Sequence, residues 1–102
     1  MTRQPTYPGE ILKEDVFPAM KLSSSKAAKL LHISRQYMSD ILNGRKPITP
    51  LLCLKIGKMS GNGPELWINM QARYNLWYAQ QNPSNQKILA DIPAYEDLKN
   101  LM

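Results

Sequence analysis

The chain has 102 residues, of which 43% are hydrophobic and 21% charged, so its length fits one domain and its composition excludes a disordered protein. The net charge is +5, and residues 21–58 carry eight Lys and Arg side chains against Asp40 alone, which favours a polyanionic partner, although a solvated surface would look the same. A single cysteine, Cys53, excludes an intrachain disulfide, and no apolar run approaches the roughly 18–20 residues of a membrane span.

The first two predicted helices lie within residues 9–31. Pro8-Gly9 marks the start of the first helix, which we expect to run from Gly9 to Phe17 and to end at Pro18. Ser23 is a suitable N-cap for the second helix. The apolar faces consist of Ile11, Leu12, Val16 and Phe17 in the first helix and of Ala27, Ala28, Leu30 and Leu31 in the second.

A tight turn separates the second helix from a third, whose predicted N-cap is Ser34. Asn43-Gly44 ends the third helix, because glycine tolerates the positive φ of a left-handed helix end. Together the two helices have the form of a helix-turn-helix, in which the second helix lies in the major groove of DNA. The residues expected to face the other helices are Ile33, Met38, Ile41 and Leu42.

Two longer helices and a C-terminal segment follow. Thr49-Pro50 combines an N-cap with proline at the first helical position and predicts a fourth helix, to about Met59, that buries Leu52, Cys53 and Ile56. Residues 60–63 contain two glycines, but without a preceding strand they are interpreted as a connection rather than a phosphate-binding turn. The remaining predictions are the longest helix over 64–81, a polar linker over 82–93, and a short helix over 95–102 that packs by Leu98, Leu101 and Met102. We therefore expect a DNA-binding domain over 1–81 and a linker with a short helix over 82–102.

The outer side of the third helix carries the side chains that could read DNA. Gln36 can pair with adenine through two hydrogen bonds, Arg35 can reach guanine or a phosphate, and Ser39 can bond to several base edges. Tyr37 is open to a phosphate contact through its hydroxyl or to a thymine methyl through its ring. Asp40 either reads a cytosine amino group or pairs with a nearby Arg or Lys. The full outward set is Arg35, Gln36, Tyr37, Ser39, Asp40 and Asn43.

Basic residues follow this helix directly. Arg45 and Lys46 are expected to lie over the DNA backbone and to fix the register of the protein. The helix starts at Ser23 and Ser34 can offer backbone amides to phosphates. A polar outer face is typical of any surface helix, so the combination with a small-residue second helix, a short turn and a basic exit is what favours DNA. The predicted DNA-binding residues are Ser34, Arg35, Gln36, Tyr37, Ser39, Asn43, Arg45 and Lys46.

Other chemistry is poorly supported by the sequence. With one histidine, His32, and one cysteine, the chain cannot assemble an ordinary zinc site alone, and neither a metal nor a cofactor is predicted. His32 is interpreted as a structural turn residue and Cys53 as a buried small hydrophobe. No nucleophile stands beside a base, so an enzyme is not predicted. The start of the chain lacks the apolar stretch of a signal peptide, and we expect a cytoplasmic protein.

Four aromatic residues on the longest predicted helix have two interpretations. Trp67, Tyr74, Trp77 and Tyr78 form an aromatic concentration, and some of them must belong to the core. A domain of this size has difficulty burying all four, so a subunit or partner interface is equally open.

The chain resembles the HigA-type antitoxins of the Xre/Cro-like helix-turn-helix class. The resemblance covers about residues 7–79 in the expected order, and its tryptophan-rich segment is more specific than a generic helix-turn-helix. It rests on Tyr7-Pro-Gly-Glu-Ile-Leu12, Ser34-Arg-Gln-Tyr-Met-Ser-Asp-Ile-Leu-Asn-Gly44, Ile48-Thr49 and Trp67-Ile-Asn-Met-Gln-Ala-Arg-Tyr-Asn-Leu-Trp77.

This resemblance implies an all-α, five-helix, lambda-repressor-like helix-turn-helix domain with a C-terminal extension. It further implies a homodimer that binds double-stranded operator DNA, palindromic and in its own promoter, and a partner toxin of HigB type that cleaves messenger RNA on the ribosome. Two residues depart from the family pattern. His32 replaces the usual turn glycine, which the motif tolerates if the backbone avoids a left-handed conformation, and Ser24 stands where a glutamine often binds phosphate. The DNA contacts carried over are Ser34, Arg35, Gln36, Ser39 and Arg45.

Three functions follow from these patterns. The first is an antitoxin that neutralises a toxin and represses its own operon. The second is a stand-alone helix-turn-helix repressor with the same DNA chemistry and no toxin partner. The third is a protein-interaction module whose helix-turn-helix has lost DNA binding.

Overall fold

A computed structural model describes residues 4–101, and within this range the chain is helical and contains no strand, as the sequence predicts. In the same range no helix is both long and apolar enough to cross a bilayer. The helices are α1 (8–19, made of Pro8–Ile11, Leu12–Val16 and Phe17–Ala19), α2 (Ser24–Leu30), α3 (Arg35–Leu42), α4 (Pro50–Ser60), α5 (Pro64–Gln81), α6 (Pro83–Ala90) and α7 (Tyr95–Leu101). Helices α1 to α5 form the helix-turn-helix domain, with α2 and α3 as the two helices of the motif.

Helix α1 continues past Pro18, so the predicted end of the first helix at this residue is wrong. The middle of α1, Leu12–Val16, is π-helical, and the N–H of Phe17 donates to the carbonyl of Leu12, five residues back. Pro18 has no N–H, and in a regular α-helix its ring would press against the carbonyl four residues earlier. The wider π turn relieves this clash and lets the helix reach Ala19.

All three predicted N-caps between Leu22 and Pro50 are confirmed. Each cap side chain accepts a hydrogen bond from a backbone N–H in the first turn, which would otherwise lack a helical partner. These bonds set the start of α2, α3 and α4. The caps, with their donors, are Ser23 (Lys26 N–H, 3.1 Å), Ser34 (Tyr37 N–H, 3.0 Å) and Thr49 (Leu52 N–H, 3.3 Å).

One hydrophobic core joins α1 to α5, and its largest fully buried side chain is Trp67 on α5. Helix α2 packs against α3, and α4 packs against α5. Leu30, which the sequence predicts in the core, is 49% exposed and lines a surface groove with Lys58 and Met59 of α4. The core residues that the sequence predicts correctly include Leu12, Phe17, Ala27, Ala28, Leu31, Met38, Ile41, Leu42, Leu52, Cys53 and Ile56.

A buried glutamine holds the segment that follows the helix-turn-helix. The side chain of Gln71 on α5 is buried, and its Oε1 accepts a hydrogen bond of 2.9 Å from the backbone N–H of Ile48. Its Nε2 donates to Oδ1 of Asn75 at 2.9 Å. An unpaired buried N–H is costly, so this bond ties the loop between α3 and α4 to the longest helix.

The aromatic residues of α5 divide between core and surface. Trp67 is core, whereas Tyr78 is exposed and packs in a surface cluster with Tyr74, at 4.7 Å between ring centroids, and with Trp77, at 5.0 Å. Tyr7 completes this cluster in an edge-to-face arrangement, with 4.8 Å between the ring centroids of Tyr7 and Tyr74. A hydrogen bond between Tyr74 and Tyr78, together with partial burial of Tyr74, raises the pKa of Tyr74 to about 12. The Tyr74 hydroxyl therefore stays protonated. The cluster ties the start of the chain to α5.

The backbone at His32 is left-handed, with φ at 56°, so the motif keeps the conformation that glycine usually provides at this turn. The sequence analysis expects the motif to tolerate His32 only if the backbone avoids the left-handed region. The structure does not meet this condition. Side chains with a Cβ are strained there by about 1–2 kcal/mol.

We expect His32→Gly to raise the free energy of unfolding by about 0.5–1 kcal/mol, because the relief of strain exceeds the entropy that glycine adds to the unfolded chain. Urea unfolding followed by circular dichroism measures this gain. His32→Ala is the matched control, since it removes the imidazole and keeps the strained φ. An equal gain from alanine would show that the side chain, and not the backbone, is responsible.

The C-terminal segment is more helical than the sequence predicts. The expected linker over 82–93 is wrong, because Pro83–Ala90 forms α6, capped by Asn82, whose Oδ1 accepts from the N–H of Ser84 at 2.8 Å. The short terminal helix is confirmed as α7. Its predicted packing is not, because Leu98 and Leu101 are both exposed; Met102 lies outside the described residues.

Candidate DNA-binding surface

Helix α3 presents the polar face that the sequence predicts. Met38, Ile41 and Leu42 are buried, whereas Arg35 and Gln36 are exposed. Asn43, the C-cap residue, is exposed too, and Ser39 is half-buried. The outer surface of α3 is therefore polar from its first turn to its end.

Asp40 does not belong to this outer face, and its predicted outward position is wrong. Only 8% of the residue is exposed, because the chain turns back at Gly44, where φ is 74°, and lays Arg45 and Lys46 against it. The backbone N–H of Arg45 donates to the Asp40 carbonyl at 2.7 Å, as does that of Lys46 at 3.2 Å. The carboxylate also pairs with both side chains: Nε of Arg45 donates to Oδ1 at 2.9 Å, and Nζ of Lys46 lies 3.6 Å from Oδ2. The sequence leaves two roles open for Asp40, reading a cytosine amino group or pairing with a nearby Arg or Lys. The structure shows the ion pair.

The hydrogen bond from Arg45 holds the pKa of Asp40 below its usual value. Partial burial opposes this shift, and further hydrogen bonding from Gln36 and the nearby positive charges support it. Asp40 is consequently an ionised carboxylate, which accepts hydrogen bonds and donates none.

Ser39 connects Arg45 to the end of α3. Its Oγ accepts from Nη2 of Arg45 at 3.0 Å and from Nδ2 of Asn43 at 3.3 Å, while Asn43 also donates to the Ser39 carbonyl at 2.9 Å. With two donors on the oxygen, the Ser39 hydroxyl keeps its own hydrogen for an acceptor such as a phosphate or a base edge. Arg45 remains half exposed, so its guanidinium is still accessible.

Tyr37 lies between the core and the basic exit of α3. Its ring is half-buried against the core, and Nζ of Lys46 lies 5.6 Å from the ring centroid. The Tyr7 hydroxyl donates to the Lys46 carbonyl and so fixes the backbone of this exit from the other side. The Lys46 ammonium therefore lies over the ring that the sequence analysis offers to a thymine methyl.

Sequence reasoning missed one basic residue of this surface. Lys13 on α1 lies with Arg35 at a cleft of about 200 Å³ that α1, the start of α2 and the length of α3 enclose. The sequence signal was weak, because Lys13 is followed by Glu14 and Asp15 and so resembles part of a solvated helix. The polar residues that line the cleft are Lys13, Ser24, Ser25, Arg35, Ser39 and Asn43. A cleft with two cations and three hydroxyls suits an anion such as a phosphate.

Comparisons with known proteins identify the fold and the family. No family model matches the chain. An uncharacterised helix-turn-helix transcriptional regulator of Haemophilus influenzae is 37% identical over 92 residues, which is 90% of this chain and 86% of the regulator. The solved structure of an addiction module antidote protein of the HigA family from Coxiella burnetii is 35% identical, with a TM-score of 0.81 over 91% of this chain and 100% of that one. The chain belongs to the HigA family of helix-turn-helix regulators.

The chain is also similar to an antitoxin solved with its operator. Antitoxin GraA in complex with its operator is 26% identical, with a TM-score of 0.80 over 92% of this chain and 94% of GraA. The matched lengths reach beyond residue 80, where the sequence alone showed no resemblance. Within residues 4–101, no three His, Cys, Asp or Glu side chains converge as metal ligands do.

Proposed function

We propose that this chain is the antitoxin of a type II toxin–antitoxin pair. In this proposal, a homodimer binds a palindromic operator in its own promoter and represses it, and the same protein holds an mRNA-cleaving toxin of HigB type inactive. The operator half of the proposal is carried by one observation. The chain superposes on an operator-bound antitoxin and carries an exposed polar face on α3 beside basic residues.

The residues of α3 and its exit have separate roles in this proposal. Gln36 and Arg35 contact base edges in the major groove, and the free hydrogen of Ser39 is a third base contact. Lys13 is added as a phosphate contact, because it lies with Arg35 at the cleft between α1, α2 and α3. The remaining contacts go to the DNA backbone and fix the register: Ser34, Tyr37, Asn43, Arg45 and Lys46.

Two substitutions separate base reading from phosphate binding. We expect Gln36→Ala to cost about 1–3 kcal/mol of binding free energy and to relax the preference at one base pair. Lys46→Ala should weaken binding to all sequences about equally and reduce the slope of log affinity against log salt by about 1. Titrations of selected and unrelated duplexes at several salt concentrations measure both effects.

Lys87→Ala is the matched control, since it removes the same charge from α6, away from α3. For about five phosphate contacts per half-site, the wild-type slope should be roughly −4 to −5 on a duplex with one half-site and about twice that on the palindrome, where Lys46→Ala removes one contact from each half-site. A slope near zero would contradict DNA binding and would favour a protein-interaction module. A sequence-selective loss in Lys46→Ala would show that this lysine reads bases.

The homodimer is supported by an apolar surface between α5 and α6. Leu76, Ile88 and Leu89 are each more than half exposed and line a common groove. A dimer on a palindrome requires half-sites about one DNA turn apart, roughly 34–36 Å, or a multiple of this distance. Sedimentation of the free protein and of its complex with a two-half-site duplex tests this part. Binding of one monomer to an isolated half-site at full affinity would contradict it.

The toxin half of the proposal rests on membership of the HigA family. Co-expression of the neighbouring reading frame with this chain should relieve the growth arrest that the neighbour causes alone. Purification of one protein should then bring the other with it. Operator binding without any rescue of growth would leave the second candidate, a stand-alone repressor, which the regulator from Haemophilus influenzae makes reasonable.

A further inference from the structure

Gln36 and Asp40 face each other across one turn of α3. Nε2 of Gln36 donates a hydrogen bond to Oδ1 of Asp40 at 3.0 Å. Asp40 is almost fully buried, whereas Gln36 is exposed. The exposed amide of Gln36 is thus anchored at one end to a group that the solvent hardly reaches.

The chemistry of Asp40 decides which end of the amide is anchored. A carboxylate offers acceptors only, so the NH₂ group of Gln36 must face it. The opposite orientation would place Oε1 of Gln36 against Oδ1 of Asp40, with two acceptors opposed at hydrogen-bond distance. Arg45 and Lys46, at 2.9 and 3.6 Å from the carboxylate, keep Asp40 paired and in place.

This anchor leaves a defined pattern for DNA. One N–H of Gln36 is engaged by Asp40, and Oε1 and the second N–H remain available. One acceptor beside one donor complements adenine, which offers its N6 amino hydrogens and its N7 acceptor in the major groove. Guanine offers the acceptors N7 and O6 at the same edge, and a fixed Oε1 would oppose one of them.

We propose that Asp40 is a positioning residue that holds the Gln36 amide in the orientation that reads adenine and rejects guanine. This inference rests on the proposed binding of α3 to operator DNA. Asp40 itself does not touch a base; it acts through Gln36. Without Asp40 the amide turns freely, and by presenting both N–H groups it accepts guanine as well.

The test compares base preference, because Asp40 also holds Arg45 and Lys46. Loss of those phosphate contacts lowers affinity for every duplex, whereas loss of amide orientation changes the ratio of affinities for two duplexes. Selection from a randomised duplex library with the wild type and with Gln36→Ala first identifies the base pair at which the glutamine acts. Duplexes with adenine or guanine at that position are then titrated with each variant.

Wild type should prefer adenine about tenfold or more, which is the discrimination expected of a two-bond contact. Asp40→Ala should reduce the ratio of adenine-duplex to guanine-duplex affinity to about twofold or less. Asp40→Asn should keep the wild-type ratio, because the asparagine oxygen still accepts a hydrogen bond from Gln36. In a Gln36→Ala background, Asp40→Ala should leave the ratio unchanged. Asp40→Ser, too short to reach the amide, replaces Asp40→Ala if circular dichroism shows that the alanine variant is unfolded.

The outcomes separate this inference from the proposed function. If the wild type enriches no sequence, operator binding fails and the inference fails with it. If a sequence is enriched but guanine stands at the Gln36 position, the inference is overturned and operator binding stands. An equal loss of affinity for both duplexes in Asp40→Ala, with the ratio unchanged, would show that Asp40 is structural and would also overturn the inference.

Discussion

Trp67→Ala should lower the free energy of unfolding by about 3–5 kcal/mol, the range seen when a large buried aromatic side chain is truncated. Trp67 has no exposed surface and is the largest fully buried side chain in the described part of the chain. Its removal loses the transfer free energy of the indole and leaves a cavity between α5 and the other helices. Urea unfolding followed by far-UV circular dichroism measures the change, since the tryptophan itself cannot serve as the probe.

Leu66→Ala is the matched control for this substitution. Leu66 precedes Trp67 on the same helix but is 45% exposed, so its truncation should cost about 1 kcal/mol or less. An equal loss in the two variants would show that the cost does not come from burial in the core, and helix propensity cannot explain it because alanine favours a helix more than either residue. A stable Trp67→Ala variant would contradict the position of α5 in the core.

The second large effect is expected for Gly9→Ala. A Cβ at Gly9 would lie 2.1 Å from the carbonyl oxygen of Ile41 and 2.6 Å from Cε1 of Tyr7. The contact to Ile41 is with the backbone of α3, which cannot rotate away as a side chain can. We therefore expect Gly9→Ala to destabilise the protein by about 3 kcal/mol, at the upper end of the usual cost of overpacking.

The sign of this effect is informative, because glycine to alanine within a helix normally stabilises by about 0.5–1 kcal/mol. Glu10→Ala, at the exposed neighbouring position of α1, is the control for substitutions in this turn. Thermal and urea unfolding measure both variants. A rise in stability for Gly9→Ala would mean that α1 does not contact α3 at the distance described. A fall in stability for Gly9→Ala, with no change in stability for Glu10→Ala, supports the contact between Gly9 and Ile41.

Most helix boundaries were predictable because they depend on two or three adjacent residues. Ser23, Ser34 and Thr49 cap their helices as the sequence predicts, since a cap is a contact between near neighbours. The same signal is present at Asn82-Pro83, but the polar composition of the following segment favours a linker instead of the helix that forms there. Pro18 predicts the end of the first helix, but the helix continues past it. The π turn that accommodates this proline has no simple sequence signature.

The candidate site was predictable as a set of exposed residues but not as a network. The exposure of Arg35 and Gln36 follows from helical spacing, which places them opposite Met38 and Ile41. The burial of Asp40 does not, because it requires the chain to fold back at Gly44. The position of Lys13 at the cleft likewise depends on how α1 crosses α3.

By itself, the sequence determined the helices, the polar face of α3, the charge of the central segment and the resemblance to HigA antitoxins, because each of these is a property of neighbouring residues or of composition. Only the tertiary structure decided which polar groups meet across the chain. It brought Gln71 to the N–H of Ile48, 23 residues away, and placed Lys13 of α1 with Arg35 of α3 at one cleft. Such contacts depend on helix crossing angles to within about an ångström, and hydrophobic periodicity specifies the buried face of a helix but not that angle.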